Sequence, residues 1–253
     1  MRPIADYGLL GDTRTAALVS SDGSLDWLCL PRFDGQPVFG RLVGGAAAGS
    51  FRLGPATEAT VVGRRYRRHS ATLETTWDTA QGRLTLTEGM VAELDGRLSP
   101  ATLLVRRLSA EGAAAEVGVE FDPRLGEDHR RPRVRHVGPN LVCEWGSLAV
   151  SLISDADLVV EPGRPTCVTV APGRPVTFVV VVAHREPLIL VDPATAWALL
   201  AEDEARWQQW AAQIDEDLPF REAVVRSLLT LRMLTYSPSG APVAAPTTSL
   251  PEQ

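Results

Sequence analysis

About a dozen short apolar runs, separated by turn residues, constrain the fold of the first three quarters of this chain. Turn signals such as Ser21-Asp22-Gly23-Ser24 stand between them, and no helical periodicity interrupts them. Strands joined by short turns pair antiparallel, and two such sheets pack face to face. The sequence therefore predicts a mainly β fold, a supersandwich-like antiparallel β-sandwich over residues 1–190. The predicted strands are Ala16–Ser20, Leu25–Leu30, Ser50–Leu53, Thr60–Arg67, Thr72–Thr76, Arg83–Met90, Thr102–Leu108, Glu116–Phe121, Leu141–Trp145, Leu148–Ser151, Cys167–Val170 and Val176–His184.

Two linker α-helices are predicted next, over residues 191–236. The first begins at Asp192-Pro193, where an N-cap side chain precedes a proline at the first helical position. The second begins at Asp217-Leu218-Pro219 and ends near Tyr236. The apolar stripes are Trp197, Leu200, Trp207, Ala211 and Ile214, interrupted by Glu204, and then Phe220, Val224, Leu228, Leu231 and Leu234. One sandwich need not cover both stripes.

The remaining residues, 237–253, are rich in proline and lack periodicity, so we predict an extended or disordered tail.

Charge, cysteine usage and hydropathy exclude several classes of protein. A net charge of −6 argues against a nucleic-acid partner, which requires a basic surface. The longest wholly apolar run, Phe178–Ala183, is too short to cross a membrane, and the amino terminus does not resemble a signal peptide. The cysteines form no CxxC pair, so buried, reduced thiols in a cytoplasmic protein are expected. The histidines fall in no ligand spacing, so we expect no metal and no cofactor.

Three segments carry a resemblance to a known family. The first runs from Ile4 to Asp12 and continues through Arg14–Val19, the second is Asp22–Asp34, and the third is Ala244–Glu252. Together they resemble glycoside hydrolase family 15, in its bacterial and archaeal glucoamylase and trehalase branch. The second segment is long and contains rare residues, which makes a chance match a poor explanation.

The resemblance implies an amino-terminal β-sandwich and a helical linker, followed in the family by a catalytic α/α barrel. The family's paired catalytic glutamates lie in that barrel, and the chain ends where the first barrel helices are expected. An inverting hydrolase needs two carboxyl groups held about 6.5–9.5 Å apart, and no residue here is assigned that role. The resemblance thus implies a non-catalytic part of an enzyme that hydrolyses α-glucosidic bonds in trehalose or maltooligosaccharides.

Trp27, Arg32, Phe33 and Asp34 are the candidate substrate-proximal residues, because a strand there delivers a loop bearing aromatic, basic and acidic side chains. Aromatic faces stack on sugar rings, and Arg and Asp bond hydroxyls. The structural alternative is a core strand with an Arg32–Asp34 contact that holds its turn. Trp197, Trp207 and Trp210 are another candidate platform, although helical spacing favours packing for Trp197 and Trp207. Two basic clusters, 64–69 and 124–136, are better explained as solvated surface.

Two other functions remain open. The chain is a stand-alone carbohydrate-binding module if it binds sugar without a barrel. It is a structural partner, either of itself as a homo-oligomer or of a separately encoded catalytic half, if its helix faces mediate association.

Overall fold

The computed structural model describes residues 3–99 and 101–247. The residues from Thr248 to Gln253, which hold most of the third resembling segment, lie outside the described residues. The strands are β1 (Tyr7–Gly11), β2 (Ala16–Ser20), β3 (Ser24–Leu30), β4 (Gln36–Phe39), β5 (Ser50–Pro55), β6 (Ala59–Tyr66), β7 (Leu73–Thr79), β8 (Gly82–Met90), β9 (Glu93–Leu94), β10 (Arg97–Leu98), β11 (Thr102–Gly112), β12 (Ala115–Asp122), β13 (Arg133–Val137), β14 (Asn140–Trp145), β15 (Leu148–Ser154), β16 (Thr166–Val170), β17 (Val176–His184), β18 (Thr235–Tyr236) and β19 (Ala241–Pro242). The helices are α1 (Arg41–Gly44), α2 (Pro193–Ala211) and α3 (Arg221–Met233), with single 3-10 turns at Ile4–Asp6 and Gly45–Ala48.

Two antiparallel sheets form the body of the protein, which confirms the predicted mainly β, antiparallel fold. The first has the order β1-β2-β3-β5-β12-β16, with β4 also paired to β3. The second has eight strands in the order β13-β14-β15-β17-β11-β8-β7-β6. Strands distant in sequence are neighbours in both sheets, since β5 pairs with β12 and β17 lies between β15 and β11.

Each of the twelve predicted strands overlaps a strand of the structure. The turn between β2 and β3 is also confirmed: Gly23 adopts φ +79°, and a Cβ there would lie 1.9 Å from the Leu53 carbonyl oxygen. Seven strands of the structure were not predicted, namely β1, β4, β9, β10, β13, β18 and β19. β13 is exposed at all five residues, so it has no alternation of apolar and polar positions to detect.

The main core lies between the sheets and contains one buried ion pair. Four phenylalanines, Phe39, Phe51, Phe121 and Phe178, pack edge to face or tilted there. Arg106 of β11 contacts Glu88 of β8 at 2.8 Å, and both side chains are fully buried. The Arg106 guanidinium also donates 2.7 Å hydrogen bonds to the carbonyl oxygens of Phe51 and Gly23, which belong to the first sheet and its turn. This side chain therefore ties the two sheets together.

Helix α2 packs on the outer face of the second sheet. The Asp192 carboxylate caps it by accepting a 3.0 Å hydrogen bond from the Thr195 backbone nitrogen, as predicted. Ala196 and Leu200 pack against outward-facing residues of β11 and β17. The next turn of the helix buries Asp203, which accepts hydrogen bonds from the backbone nitrogens of Ala92 and Glu93.

Helix α3 differs from its prediction in its ends and in its buried face. It begins at Arg221, after the predicted start, and ends at Met233, before Tyr236. Its buried residues are Val225, Leu229 and Met233, which pack with Trp207 and Ala211 of α2. By contrast, Phe220 and Leu231 of the predicted apolar stripe are exposed. The helix is apolar on two faces, and periodicity alone does not show which one is buried.

All three cysteines are reduced thiols, but only two are buried as expected. Cys29 and Cys143 lie in the core, and burial raises the pKa of the Cys143 thiol to about 12. Cys167 is exposed on the edge strand β16, so the expectation of a buried thiol is wrong there. Within the described residues, no helix is long and apolar enough to cross a membrane.

Candidate functional site

A cavity of about 570 Å³ opens beside the loop that follows β3. The loop contributes Pro31, Arg32, Asp34 and Gly35 to its wall. The opposite wall comes from the end of β17 and the residues after it, His184 to Pro187, and Tyr236 adds an aromatic side chain.

Two further cavities, of about 520 and 310 Å³, adjoin the first. Asp34 lines all three, while Arg32 and Tyr236 line two of them. The loop after β3 therefore stands at the centre of one branched groove, and Asp34 is its common point.

Arg32 and Asp34 form a bidentate ion pair in this groove. Arg32 Nε and Nη2 donate to the two carboxylate oxygens of Asp34, each at 3.0 Å. The hydrogen bond to Asp34 raises the pKa of Arg32, and the nearby Tyr236 adds to this effect. The side chains are 52% and 63% exposed, so solvent or a ligand can reach their remaining donor and acceptor positions.

Backbone contacts hold the loop that presents the pair. The Phe33 backbone nitrogen donates a 3.0 Å hydrogen bond to the Arg14 carbonyl oxygen, and the Phe33 ring is buried. Arg14 is in turn fixed by the buried carboxylate of Asp12, which accepts hydrogen bonds from the backbone nitrogens of Arg14 and Thr15 at 2.9 and 2.8 Å. Burial raises the pKa of Asp12. The first resembling segment thus positions the loop of the second.

The four candidate residues occupy different environments. Arg32 and Asp34 meet in the groove, and Phe33 lines only the smallest cavity. Trp27 is fully buried within β3, and its indole nitrogen donates a 2.8 Å hydrogen bond to the Pro246 carbonyl oxygen. Trp27 therefore anchors the tail in this structure and does not line the three cavities.

The tryptophans of α2 are covered by arginine side chains. The Arg107 guanidinium lies 4.4 Å from the ring centroid of Trp197. Arg232 of α3 lies 5.3 Å from Trp207 and 4.7 Å from Trp210. Cation–π contacts of this kind join neighbouring elements, and they leave these ring faces engaged within the chain.

Tyr236 and the residues after β17 were not singled out from the sequence. Tyr236 reaches the groove because β18 turns back after α3 and the Ser237 backbone nitrogen bonds to the Thr13 carbonyl oxygen at 2.9 Å. His184 ends the buried strand β17, and Arg185 and Glu186 follow it, so a polar run at the end of a strand is the signal that would have found them.

The carboxyl groups with raised pKa values lie outside the groove. They are Asp12, Glu88 and Asp203, and burial is the first cause in each case. Each accepts hydrogen bonds from protein groups, so they serve the fold. The described residues also contain no group of three or more histidine, cysteine, aspartate or glutamate side chains that could hold a metal ion.

Comparison with known proteins places these features in a family. The sequence profile of the family described as "Trehalase-like, N-terminal" matches residues 1–156. A trehalase of Mycolicibacterium smegmatis is 32% identical over 99% of this chain and 41% of its own length. A trehalase of Mycobacterium tuberculosis is 31% identical over 99% of the chain and 40% of its length. A trehalase of Thermoplasma volcanium is 25% identical over 97% of the chain. The chain spans about two fifths of the length of these relatives.

Proposed function

This chain belongs to the family of trehalase-like N-terminal domains, and on that premise we propose that it is the accessory, non-catalytic domain of a glycoside hydrolase acting on the α-glucosidic bond of trehalose. The enzyme is of the glycoside hydrolase family 15 type. Its catalytic carboxylates belong to an α/α barrel, which is either a further part of the same polypeptide or a separately encoded partner. The mycobacterial trehalases support this function, because they align with almost the whole chain.

The exposed Arg32–Asp34 pair is the observation that carries the role of this domain. A neutral saccharide offers adjacent hydroxyl groups, which donate to a carboxylate and accept from a guanidinium. Arg32 and Asp34 are fixed at 3.0 Å to each other in a groove that also holds the aromatic side chain of Tyr236. Polar groups that converge on a concave surface, with an aromatic wall, are typical of a saccharide site. The domain thus supplies one wall of the trehalose pocket.

The non-catalytic role is supported by where the titrating carboxyl groups lie. A glycosidase acid must remain protonated near neutral pH and lie next to the bond it cleaves. Asp203, whose pKa is raised to about 6, is engaged between α2 and the segment after β8. Asp12 and Glu88 are enclosed in the same way, and Asp34 is occupied by Arg32.

Glucose release from trehalose by the purified, folded chain tests the non-catalytic role. We expect none, because the carboxyl groups whose pKa is raised, Asp12, Glu88 and Asp203, all lie outside the groove. Turnover that persists after repurification would place the catalytic groups in this chain and refute the accessory role. Maltotriose is assayed in parallel, because turnover of a maltooligosaccharide would refute the accessory role in the same way.

The proposal that this groove forms one wall of the trehalose pocket is tested by titrating trehalose into the protein. The Arg32 Nε–H resonance is followed in a 1H–15N NMR spectrum. We expect this signal and the backbone signals of residues 31–35 to shift, and Arg32→Ala to abolish the backbone shifts. Arg83→Ala is the matched control, since Arg83 forms an equally short exposed pair with Asp78 outside the groove. Unchanged spectra at high trehalose would remove the groove from the saccharide pocket. Tight binding by the isolated chain would instead favour a stand-alone carbohydrate-binding module.

A further inference from the structure

The groove has a second arm, the cavity of about 520 Å³ between the start of β4 and the loop of residues 124–130. It meets the first cavity at Asp34 and Gly35, which line both. Its other lining residues are Gln36, Pro37, Gly126, Glu127, Asp128 and Arg130. Most of these side chains are polar, so the second arm suits a polar occupant.

The second arm contains an ion pair that matches the Arg32–Asp34 pair of the first cavity. Arg130 Nε lies 3.2 Å from Asp128 Oδ2, and the two side chains are 51% and 64% exposed. In both pairs a single residue separates the partners in the sequence. Each arm therefore presents a guanidinium beside a carboxylate, which can donate to one hydroxyl group and accept from the next.

Backbone hydrogen bonds hold the loop of the second arm against β4. The Gly126 nitrogen donates to the Pro37 carbonyl oxygen at 2.9 Å, and the Arg124 nitrogen donates to the Val38 carbonyl oxygen at 2.8 Å. Leu125, between them, is buried. The loop is thus fixed in the absence of a ligand, which lowers the entropic cost of binding one.

The polar groups of the second arm surround an open space. Arg130 Nη2 donates a 3.1 Å hydrogen bond to Gln36 Oε1, so Gln36 keeps its amide N–H groups as donors. A Cβ at Gly126 would lie 3.0 Å from Asp128 Oδ1 and 3.2 Å from Gln36 Oε1. Glycine at this position therefore keeps a side chain out of the space between the two polar groups.

The charges of the second arm favour a neutral ligand. Asp34, Glu127 and Asp128 contribute three carboxylates, against the single guanidinium of Arg130. This excess of negative charge repels phosphate and other anions. A divalent cation needs several converging oxygen ligands, and the part of the chain that the structure describes has no group of three acidic, histidine or cysteine side chains suited to a metal ion.

We propose that the second arm is a further saccharide subsite, which holds one glucosyl unit of trehalose while the other unit contacts Arg32 and Asp34. Asp34 lines both cavities, and Gln36 lies only two residues further along the chain. Their Cα atoms are therefore at most about 7 Å apart, so one disaccharide reaches both arms. This inference rests on the trehalose function proposed above and adds Gln36, Asp128 and Arg130 as the groups that recognise the second sugar.

Titration of the chain with trehalose, followed by 1H–15N NMR, is the test. The backbone signals of residues 31–35 and of residues 126–130 should shift with one dissociation constant, because one molecule contacts both arms. Arg130→Ala should raise the dissociation constant reported by residues 31–35 about fivefold, the effect of losing one hydrogen bond. Arg32→Ala should reduce the shifts of residues 126–130 in turn, because the coupling of two contacts through one ligand is reciprocal.

Glucose separates coupling through the ligand from damage to the fold. A single glucose molecule fills only one arm, so Arg130→Ala should leave the glucose-induced shifts of residues 31–35 unchanged. Arg135→Ala is the matched control, since Arg135 is 49% exposed and pairs with Glu144 outside both arms. It should change neither titration.

Trehalose shifts confined to residues 31–35 would overturn the second subsite and leave the trehalose function standing. Shifts confined to residues 126–130, or two different dissociation constants, would overturn the arrangement of one molecule across both arms. An equal loss of glucose binding at residues 31–35 in Arg130→Ala would show a structural effect and overturn it too. Shifts of residues 126–130 with Mg²⁺ but not with trehalose would make the arm a cation site. Glucose release by the chain would refute only its non-catalytic role.

Discussion

Two arginine–carboxylate pairs in this protein have the same chemistry and opposite surroundings. Arg106 and Glu88 meet at 2.8 Å with both side chains fully buried, whereas Arg32 and Asp34 meet at 3.0 Å with more than half of each exposed. The buried guanidinium also donates hydrogen bonds to two carbonyl oxygens, one in the first sheet and one in the turn between β2 and β3. The exposed pair keeps unused donor and acceptor positions at the centre of a groove.

This difference separates a structural pair from a binding pair. Burial removes two charges from water, so the loss of either partner leaves an unpaired charge in the core, which costs about 3–5 kcal/mol. An exposed pair contributes only about 0–1 kcal/mol, because water and salt screen it. A contribution to stability therefore accounts for the Arg106–Glu88 pair. The Arg32–Asp34 pair contributes little to stability, which is consistent with a binding role in the groove.

Replacing Arg106 should have the largest effect. Arg106→Met leaves the Glu88 carboxylate without its cation, and we expect the free energy of unfolding to fall by about 3–5 kcal/mol in urea titrations. Adding Glu88→Leu should restore most of that loss, because a buried apolar pair carries no desolvation penalty. A single variant as stable as the parent would show that this pair does not hold the sheets together.

Asp203 extends the comparison to a buried carboxyl group held mainly by N–H donors. Its folded pKa, about 6, lies above its ordinary value of 3.8 because burial disfavours the charged form. As the pH rises, the unfolded chain therefore releases the Asp203 proton near pH 4, whereas the folded protein keeps it until about pH 6. The resulting contribution to the free energy of unfolding is fully present below pH 4 and is lost as the pH rises through 6. The loss is about 3 kcal/mol.

The expected result is that Asp203→Asn lacks this decline in the free energy of unfolding between pH 4 and pH 7. Urea titrations across that range measure it, with Glu202→Gln on the exposed side of α2 as the control. An identical pH profile for the parent and Asp203→Asn would contradict the raised pKa.

Trp27 is fully buried in β3, the strand that leads into the loop of the groove. Its substitution tests whether this strand contributes to stability as the rest of the core does. Trp27→Phe removes the hydrogen bond to Pro246 and leaves space where the larger, fully buried indole stood, so we expect a loss of about 2 kcal/mol in the free energy of unfolding. Limited proteolysis should also cut the tail faster. Trp145→Phe is the control, because its indole bonds to Arg130 near the surface, and its effect should be smaller.

Arg32→Ala should have the smallest effect on stability, about 0.5 kcal/mol or less, because its ion pair is exposed. Thermal unfolding beside Arg83→Ala measures it, and the two variants should agree closely. A loss near that of Arg106→Met would mean that the pair holds the loop, and the contrast between the two pairs would disappear.

Local pattern predicted twelve of the strands and the start of the first long helix, because β-branched runs, turn glycines and an N-cap aspartate act within a few residues. It failed where the outcome depends on distant neighbours. The predicted apolar stripe of α3, which includes the exposed Phe220 and Leu231, and the face that is buried, Val225, Leu229 and Met233, are both apolar in sequence. Nothing in the local sequence around Arg106 indicates that its side chain is buried. Its burial follows from the packing of the two sheets against each other.

The groove was predicted in part for the same reason. Arg32 and Asp34 are two residues apart on a loop, so their pairing could be inferred from sequence. Tyr236 joins them from the far end of the chain through the turn between β18 and β19. The strand pattern favoured a core position for Trp27, and the structure buries it, but the carbonyl group 219 residues away that accepts from its indole nitrogen could not be predicted from local pattern.

The interleaved strand order has a consequence for synthesis on the ribosome. β5 emerges early but pairs with β12, and the centre of the second sheet lacks a strand until β17 has been made. The nascent chain must therefore carry apolar strands that are paired along one edge only, β5 with β3 and β11 with β8, until residue 184 has left the exit tunnel. During that interval those strands are exposed to other nascent chains and to chaperones, so slower translation of β12 to β17 should lower the yield of folded protein.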